Sequence, residues 1–313
     1  MKKYRFAAFY LCIFTLSINA LAIDWPTKPI QIICPANPGG DSDFNSRALA
    51  EFLTEDLGQP VVVVNVSGGG NAVGTQQVHD SAPDGYTVGF GHINFIINRL
   101  SGMLDFGFDE FEVVAGVGQG AGDLLVVNKE SGWNTLDDLI RAAKASPGQY
   151  KLSGNVGANS YIEALMFADV AGIEFNVVTG GDASAKSTEL LGGQIDTTVL
   201  PYGTALPYLE SGDFIALGLF MQERNEKFPE VPTFIEQGLD VYLETTYFFV
   251  MPKGTDKAIV EKLRAAVEKV ITTRPEYAEM IGKAYSQSPK YFGPDQLIEM
   301  YAESEKRIAP FME

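Results

Sequence analysis

The sequence predicts an α/β protein built as two lobes, and three observations carry that prediction. From Pro29 onward the chain repeats one phrase: a short β-branched strand, a Gly- or Asn-rich loop, then an amphipathic helix. Several of the strands are solidly apolar without alternation, as parallel strands covered on both faces by helices would be. About ten such units would make a single sheet too large for one core, so two α/β lobes are expected.

Taken in order, Ile30 to Cys34 is the first strand. Pro38-Gly39-Gly40 turns it into a helix with Phe44, Ala48, Leu49, Phe52 and Leu53 on one face. Val61 to Val64 leads through Gly68-Gly69-Gly70 into a second helix. Further strands are predicted at Thr87 to Phe90, Leu124 to Val127, Tyr150 to Leu152, Phe175 to Val178, Thr197 to Leu200 and Ile215 to Phe220. After Pro252 the pattern changes to helix alone. One runs from Asp256 to Thr273 and stops near Arg274-Pro275, and the last opens near Gly293-Pro294-Asp295. Helices without strands of their own must pack on a sheet built earlier, so the chain is expected to return to its first lobe. The expected division is a leader at 1–22, a first lobe at 23–123 plus 249–313 and a second at 124–248. Hinges are expected near Asp123 to Val126 and Tyr247 to Met251.

Lys2, Lys3 and Arg5 precede an apolar run from Phe6 to Ile18, and Ala20-Leu21-Ala22 offers a small-x-small cleavage site. This reads as a signal peptide cut after Ala22, with export to the periplasm. The run falls short of the ~20 apolar residues that span a bilayer. The 313 residues hold 23 Lys plus Arg against 40 Asp plus Glu, a net charge of −17. The leader takes three basic residues and no acidic one, leaving 20 against 40 and a formal −20 on the exported chain. Such a charge repels phosphates, so neither nucleic acid nor an anionic membrane is an expected partner. Cys12 leaves with the leader. Cys34 then stands alone at a strand end, where no intramolecular disulfide is possible and ordinary burial is expected.

Residues able to do chemistry are few. His79 and His92 are the two histidines, without metal-ligand spacing, and neither H-E-x-x-H nor G-x-S-x-G occurs. No metal, cofactor or catalytic residue is therefore expected. His79 is expected on a helix surface, and His92, which follows a strand, as a candidate to line a cleft. In Gly68-Gly69-Gly70-Asn71-Ala72-Val73-Gly74 the last glycine lies one residue too far for a dinucleotide fingerprint, so the loop reads as a tight strand-to-helix turn.

Two other loops share one design. Asn37-Pro38-Gly39-Gly40-Asp41-Ser42-Asp43 joins a strand to a helix in the first half, and Gly154-Asn155-Val156-Gly157-Ala158-Asn159-Ser160 does so in the second. Each ends in a capping residue, Asp43 or Ser160. That places backbone N–H groups and the roughly +0.5 charge of a helix N-terminus at the loop mouth, and glycines allow an anion close to the backbone. Facing one another across a cleft, the two loops would suit a small carboxylate, which the −20 charge repels at long range and only local dipoles can hold. The same spacing also describes ordinary strand-to-helix turns.

Several motifs in order resemble a known family. Trp25-Pro26-x-Lys28-Pro29-Ile30, Pro38-Gly39-Gly40-x-x-Asp43, Val64-Asn65 and Pro83-Asp84-Gly85-Tyr86-Thr87 are similar to those of the periplasmic solute receptors of tripartite tricarboxylate transporters, the Bug proteins. Leu190-Leu191-Gly192-Gly193-Gln194-Ile195-Asp196 and Arg224-x-x-x-Phe228-Pro229-x-Val231-Pro232-Thr233-x-x-Glu236-x-Gly238 continue the likeness, which runs from Trp25 to about Thr255. The resemblance implies a two-lobed type II periplasmic-binding-protein fold that closes on a small organic acid, held largely by backbone N–H groups and waters from one loop in each lobe. The matching positions are Asn37, Pro38, Gly39, Gly40, Asp41, Ser42 and Asp43 in the first lobe. In the second they are Asn155, Gly157, Ala158, Asn159 and Ser160, with Gly180, Gly181 and Asp182 from the next loop. His92 and Tyr202 complete the candidate set.

Three positions depart from the family pattern: Asp41 where Gly or Ser is usual, Ala158 where Ser is common and Tyr161 where His is common. A carboxylate beside a bound carboxylate repels it, so Asp41 either faces solvent, the expected outcome, or meets a positive group such as a ligand amine. Lys186 is expected as a solvated surface lysine, with a counter-charge in the site as the other reading. The implied function is capture of a mono-, di- or tricarboxylate, or an acidic amino acid, by a monomer that delivers it to membrane transporter subunits. Two rivals are a receptor of the same fold that signals through a membrane sensor, and a periplasmic hydrolase or isomerase working through a residue such as His92 or Asp43.

Overall fold

The computed structural model describes residues 23–154 and 158–312. The leader with its cleavage site, Cys12, Asn155 and Gly157 lie outside the described residues. The first half of the chain alternates β1 (Ile30–Cys34), α1 (Asp41–Leu57), β2 (Val61–Asn65), α2 (Ala72–His79), β3 (Thr87–Gly91), α3 (Asn94–Leu100) and β4 (Phe111–Gln119). It then runs through β5 (Asp123–Asn128), α4 (Leu136–Ala145), β6 (Lys151–Ser153), α5 (Asn159–Ala171), β7 (Asn176–Val178), α6 (Ala183–Leu191), β8 (Thr197–Pro201), α7 (Tyr202–Ser211) and β9 (Phe214–Leu219). Last come β10 (Thr246–Pro252), α8 (Lys257–Thr273), α9 (Pro275–Tyr285) and α10 (Pro294–Ile308).

The strands form two five-stranded sheets of matching plan, β2-β1-β3-β10-β4 and β7-β6-β8-β5-β9. In each sheet the fourth strand arrives from the other half of the chain and runs antiparallel to both neighbours: β10 between β3 and β4, β5 between β8 and β9. The chain therefore crosses between lobes twice, after β4 and before β10. The expected hinge runs fall inside these inserted strands. Strand pairing pins both runs, with β8 and β9 beside Asp123 to Val126 and β4 beside Tyr247 to Met251, joined by β3 at Phe248 to Val250, so the crossings lie just before them, at Gly120–Gly122 and near Thr245.

Two further differences from the sequence reading concern unbroken apolar runs, which fix neither strand direction nor place in the sheet. Leu124 to Val127 are fully buried yet antiparallel, and Val61 to Asn65 form an edge strand whose Val62 is 49% exposed. The sequence reading missed β4, whose Gly116 and Gly118 break the strand signature. Gly116 is required by packing, because a Cβ there would lie 2.8 Å from Phe292 Cβ.

The C-terminal helices pack as expected on the first sheet. Ile259, Val260, Leu263, Val267 and Val270 of α8 are buried at helical spacing in the core that holds Ile30, Ile32, Leu49 and Phe249. At ~1.5–3 kcal/mol for each fully buried aliphatic side chain, this stripe and not helix propensity holds α8 in place. Cys34 is buried in the same core. A second core lies under α7, and a third apolar cluster runs unbroken from Ile96 and Phe248 of one lobe to Leu125 and Phe167 of the other. Among the described residues no helix is long and apolar enough to cross a membrane.

Several of the family-like motifs prove to be clips. Trp25 Nε1 donates to Gly85 O (3.1 Å) and Lys28 pairs with Asp84 (3.2 Å), which fastens the start of the chain beside β3. Arg224 donates to the Glu236 carboxylate and to Pro229 O, and Glu236 accepts from Thr233 N, which fastens the long β9–β10 connection.

Candidate functional site

Where the C-terminal ends of β1, β2 and β3 face those of β6, β7 and β8, a cleft of about 500 Å³ lies between the lobes. Its first-lobe wall is the loop from Pro35 into α1, with Ser67, Gly68, Gly70 and Asn71 after β2 and His92 after β3. Asn159 opening α5, Asp182 to Ser184 opening α6, and Pro201 with Thr204 at α7 form the other wall. The crossing residues Gly120 to Asp123, with Thr245 and Tyr247, form its back, and Tyr285 of α9 reaches its edge.

The turn into α1 is held by Asp43. Its carboxylate accepts from Gly39 N–H (2.9 Å), Arg47 Nε (2.9 Å) and Asn65 Nδ2 (2.8 Å). Burial pushes its pKa up, but the bonds from Arg47, Gly39 and Asn65 outweigh this and hold it below the ordinary carboxylate range. The first bond of the helix is Phe44 N–H to Gly40 O, and no side chain caps α1. The N–H groups of Asp41, Ser42 and Asp43 therefore have no helical acceptor, which is the donor set an anion needs.

In the second lobe α5 starts after Ala158, likewise without a side-chain cap. Its Asn159 N–H donates to Asn94 Oδ1 of the first lobe (3.1 Å), and Asn159 Nδ2 donates to Asp123 Oδ2 (2.7 Å). Asn94 in turn donates to Asn71 Oδ1 (3.3 Å), and Asn71 Nδ2 lies 3.0 Å from His92 Nε2. This chain of amides ties the two lobes across the floor of the cleft. Burial pushes the His92 pKa down to about 4, so its ring is neutral.

Of the residues expected from sequence, Asn37, Pro38, Gly39, Gly40, Asp41, Ser42, His92, Asn159 and Asp182 line the cleft. Others do not. Asp43 is spent inside its own loop. Ser160 accepts from Lys186 Nζ (3.0 Å), and Ala158 stands just behind Asn159 as the helix start. Tyr202 packs face to face on Phe228, with ring centroids 3.6 Å apart, because the turn at Pro201 sends its ring into the core under α7. Gly180 gives close packing: a Cβ there would lie 1.9 Å from Ser153 Oγ. Gly181 likewise precedes the lining, which begins at Asp182, whose carboxylate caps α6 by accepting from Ala185 N–H (3.0 Å).

Two charged residues overturn their expected settings. Asp41 stands in the cleft wall and not simply toward solvent, and burial, with Asp123 nearby, raises its pKa to about 7. Lys186 is 4% exposed, with Nζ bonded to Ser160 Oγ and Val199 O, both at 3.0 Å. Burial lowers its pKa against the pull of Asp123 and Glu163. Behind the wall, Glu163 is fully buried, and no N–H or hydroxyl donor among the described residues reaches either of its carboxyl oxygens. Burial, followed by the charge of the neighbouring Asp123, pushes its pKa well up.

Sequence reasoning missed Asn71, Asp123, Thr245, Tyr247 and Tyr285, which reach the cleft from the glycine loop, the two crossings and α9. The glycine loop was legible as a turn, with Gly70 at φ 57°, but not as a wall of the site. Nothing in a single chain marks which turns a second lobe will face.

Paired lobes of matching topology, joined by two crossings and closing on a cleft at their strand ends, define a type II periplasmic binding protein. Residues 46–313 match the family described as "Tripartite tricarboxylate transporter family receptor". Protein BugT of Bordetella pertussis is 31% identical over 291 residues, covering 91% of this chain and 88% of its own. The chain belongs to this family of periplasmic solute-binding receptors. Among solved structures, an R. palustris protein with adipate aligns with a TM-score of 0.81 at 24% identity, over 92% of this chain and 96% of that one. MatC from Rhodopseudomonas palustris with bound malate aligns at 0.79 and 22% identity, over 92% and 100%. Both likenesses carry the fold.

Proposed function

We propose that this receptor captures a small organic carboxylate in the interlobe cleft and delivers it to the membrane subunits of a tripartite tricarboxylate-type transporter, without chemical change to the ligand. One observation carries the reading: α1 starts without a cap, so its first N–H groups open into the cleft that Asp41 and Ser42 line, while Asn159 at the start of α5 lines the facing wall. That adipate and malate occupy relatives of the same fold supports it. The lobes are the moving bodies, turning about Gly120–Gly122 and the region of Thr245, and the closed form is favoured because only it brings both walls onto the ligand. The chain is exported as a monomer after cleavage behind Ala22.

A thermal-shift screen of mono-, di- and tricarboxylates and acidic amino acids tests the proposal. At a ligand concentration 100 times Kd, a receptor gains about 2.7 kcal/mol, a rise of several degrees in Tm. Stabilisation by neutral sugars or metal ions alone would sink the reading, and so would recovery of a chemically altered ligand.

A further inference from the structure

The charges lining the cleft do not suit a ligand that is only an anion. Asp41, Asp123 and Asp182 all line it, while no Lys or Arg does among the described residues, and His92 is neutral. The cations nearest in the fold are already engaged. Arg47 serves Asp43 and Asn65, and Lys186 serves Ser160 and Val199 O behind the wall.

The three carboxylates differ in what they still lack. Asp182 is used as the cap of α6, and Asp123, 8% exposed, has one oxygen on Asn159 and Glu163 as its buried neighbour. The Asp41 carboxylate accepts no hydrogen bond from any described residue, although it lies close enough to Asp123 for that charge to act on it. Tyr247, nine-tenths buried or more, and Tyr285 line the same cleft within the electrostatic reach of Asp41. Beside these acids lies the uncapped start of α1, whose first N–H groups are donors for an anion. The cleft thus holds both N–H donors for a negative group and an unpartnered carboxylate for a positive one.

We propose that the cleft selects a ligand carrying a protonated amine as well as a carboxylate, with the ammonium between Asp41 and Asp123 and the carboxylate on the uncapped start of α1. This rests on the reading of the cleft as a carboxylate site, and it makes Asp41 the residue that separates amino acids from simple acids. The alternative chemistry is a neutral Asp41 whose proton bonds a ligand carboxylate.

Calorimetry on the mature chain, with matched pairs that differ only by the amine, separates these. Suitable pairs are glutamate and glutarate, 2-aminoadipate and adipate, and 5-aminopentanoate and pentanoate, within a panel of the common amino acids and their deaminated counterparts. The amine-bearing member of at least one pair should bind at least tenfold more tightly at pH 7.5, the size of a charge-assisted hydrogen bond. Asp41→Asn, and Asp41→Ser as a second variant of unchanged Tm, should erase that preference and tighten the amine-free partner. Equal or tighter binding of every amine-free acid by the wild type overturns the proposal, as does a preference that survives both variants. Diacid affinity that rises as pH falls through 7, with no gain from an amine, assigns the neutral-donor role to Asp41 instead. Binding of pentylamine or Ca²⁺ as tightly as the amino acid also overturns it. Absence of binding by any carboxylate, with or without an amine, is distinguishable from all of these and removes the underlying carboxylate reading along with this one.

Discussion

Asp43 shows how one side chain can matter to a site without lining it. Its three accepted hydrogen bonds shape the turn that leaves the first N–H groups of α1 without partners. Asp43→Asn should cost about 1–3 kcal/mol in chemical denaturation at pH 7 and weaken carboxylate binding in calorimetry. Because the folded pKa lies below the unfolded one, this stability is present above about pH 3.9 and is lost as pH falls through the folded value. The difference between wild type and variant should therefore vanish in strongly acidic solution. Glu163 has the opposite sign. Its raised pKa means a native form that holds a proton, with stability complete below about pH 4.3 and lost as pH rises toward the folded value. Glu163→Gln should match wild type in Tm at pH 5 and exceed it increasingly as the solution becomes alkaline. The role of Asp43 was half legible: a polar residue at the end of a glycine turn is a visible signal, but whether its carboxylate folds inward or faces a ligand depends on partners such as Asn65, 22 residues away.

At the scale of elements, close approach decides more than propensity. Gly74 lies in the first turn of α2, where Ala would be favoured by about 1 kcal/mol on helix propensity. A Cβ there would meet Val66 O at 2.6 Å and Pro35 Cβ at 2.7 Å. Gly74→Ala should therefore destabilise the fold by about 1–3 kcal/mol in urea, because the contact is with backbone that cannot step aside. It should also lower ligand affinity, since Pro35 and Gly70 on either side of this contact line the cleft. The helix α8 was legible from its apolar spacing, with Asp256 as N-cap and Pro275 beyond its end. The strand β10 was not. Its aromatic run TYFFVMP reads equally as a crossing or a strand, and only pairing with β3 and β4 decides between them.

At the scale of the whole molecule, the proposed export would leave a formal −20 around a cleft proposed to hold a carboxylate. The long-range field slows the approach of a negatively charged ligand, whereas helix dipoles within the cleft act over a few ångströms and escape most screening. Raising salt from about 10 to 150 mM shortens the Debye length from ~30 to ~8 Å. The association rate of an anionic ligand, measured by stopped-flow fluorescence, should rise over that range, with little change in the dissociation rate. A falling association rate would place attractive charge at the cleft mouth and contradict this account. The lobes also meet directly: a Cβ on Gly203 of α7 would lie 2.4 Å from the Tyr285 ring of α9, so the approach of one lobe to the other depends on an absent side chain.

The sequence by itself determined the α/β class, the apolar stripes, the turns and the family likeness, because each is written in spacings of a few residues that local sterics and burial enforce; the expected capping roles of Asp43 and Ser160 were not among them, since α1 and α5 start after Gly40 and Ala158 without a side-chain cap. Tertiary structure alone decided that β5 and β10 enter the sheets antiparallel, that Lys186 is buried, that Tyr202 turns to Phe228 and that Asp41 comes beside Asp123. Those outcomes depend on which surfaces two separate sheets bring together across a gap. No periodicity along one segment records the chemistry of a wall that another segment supplies.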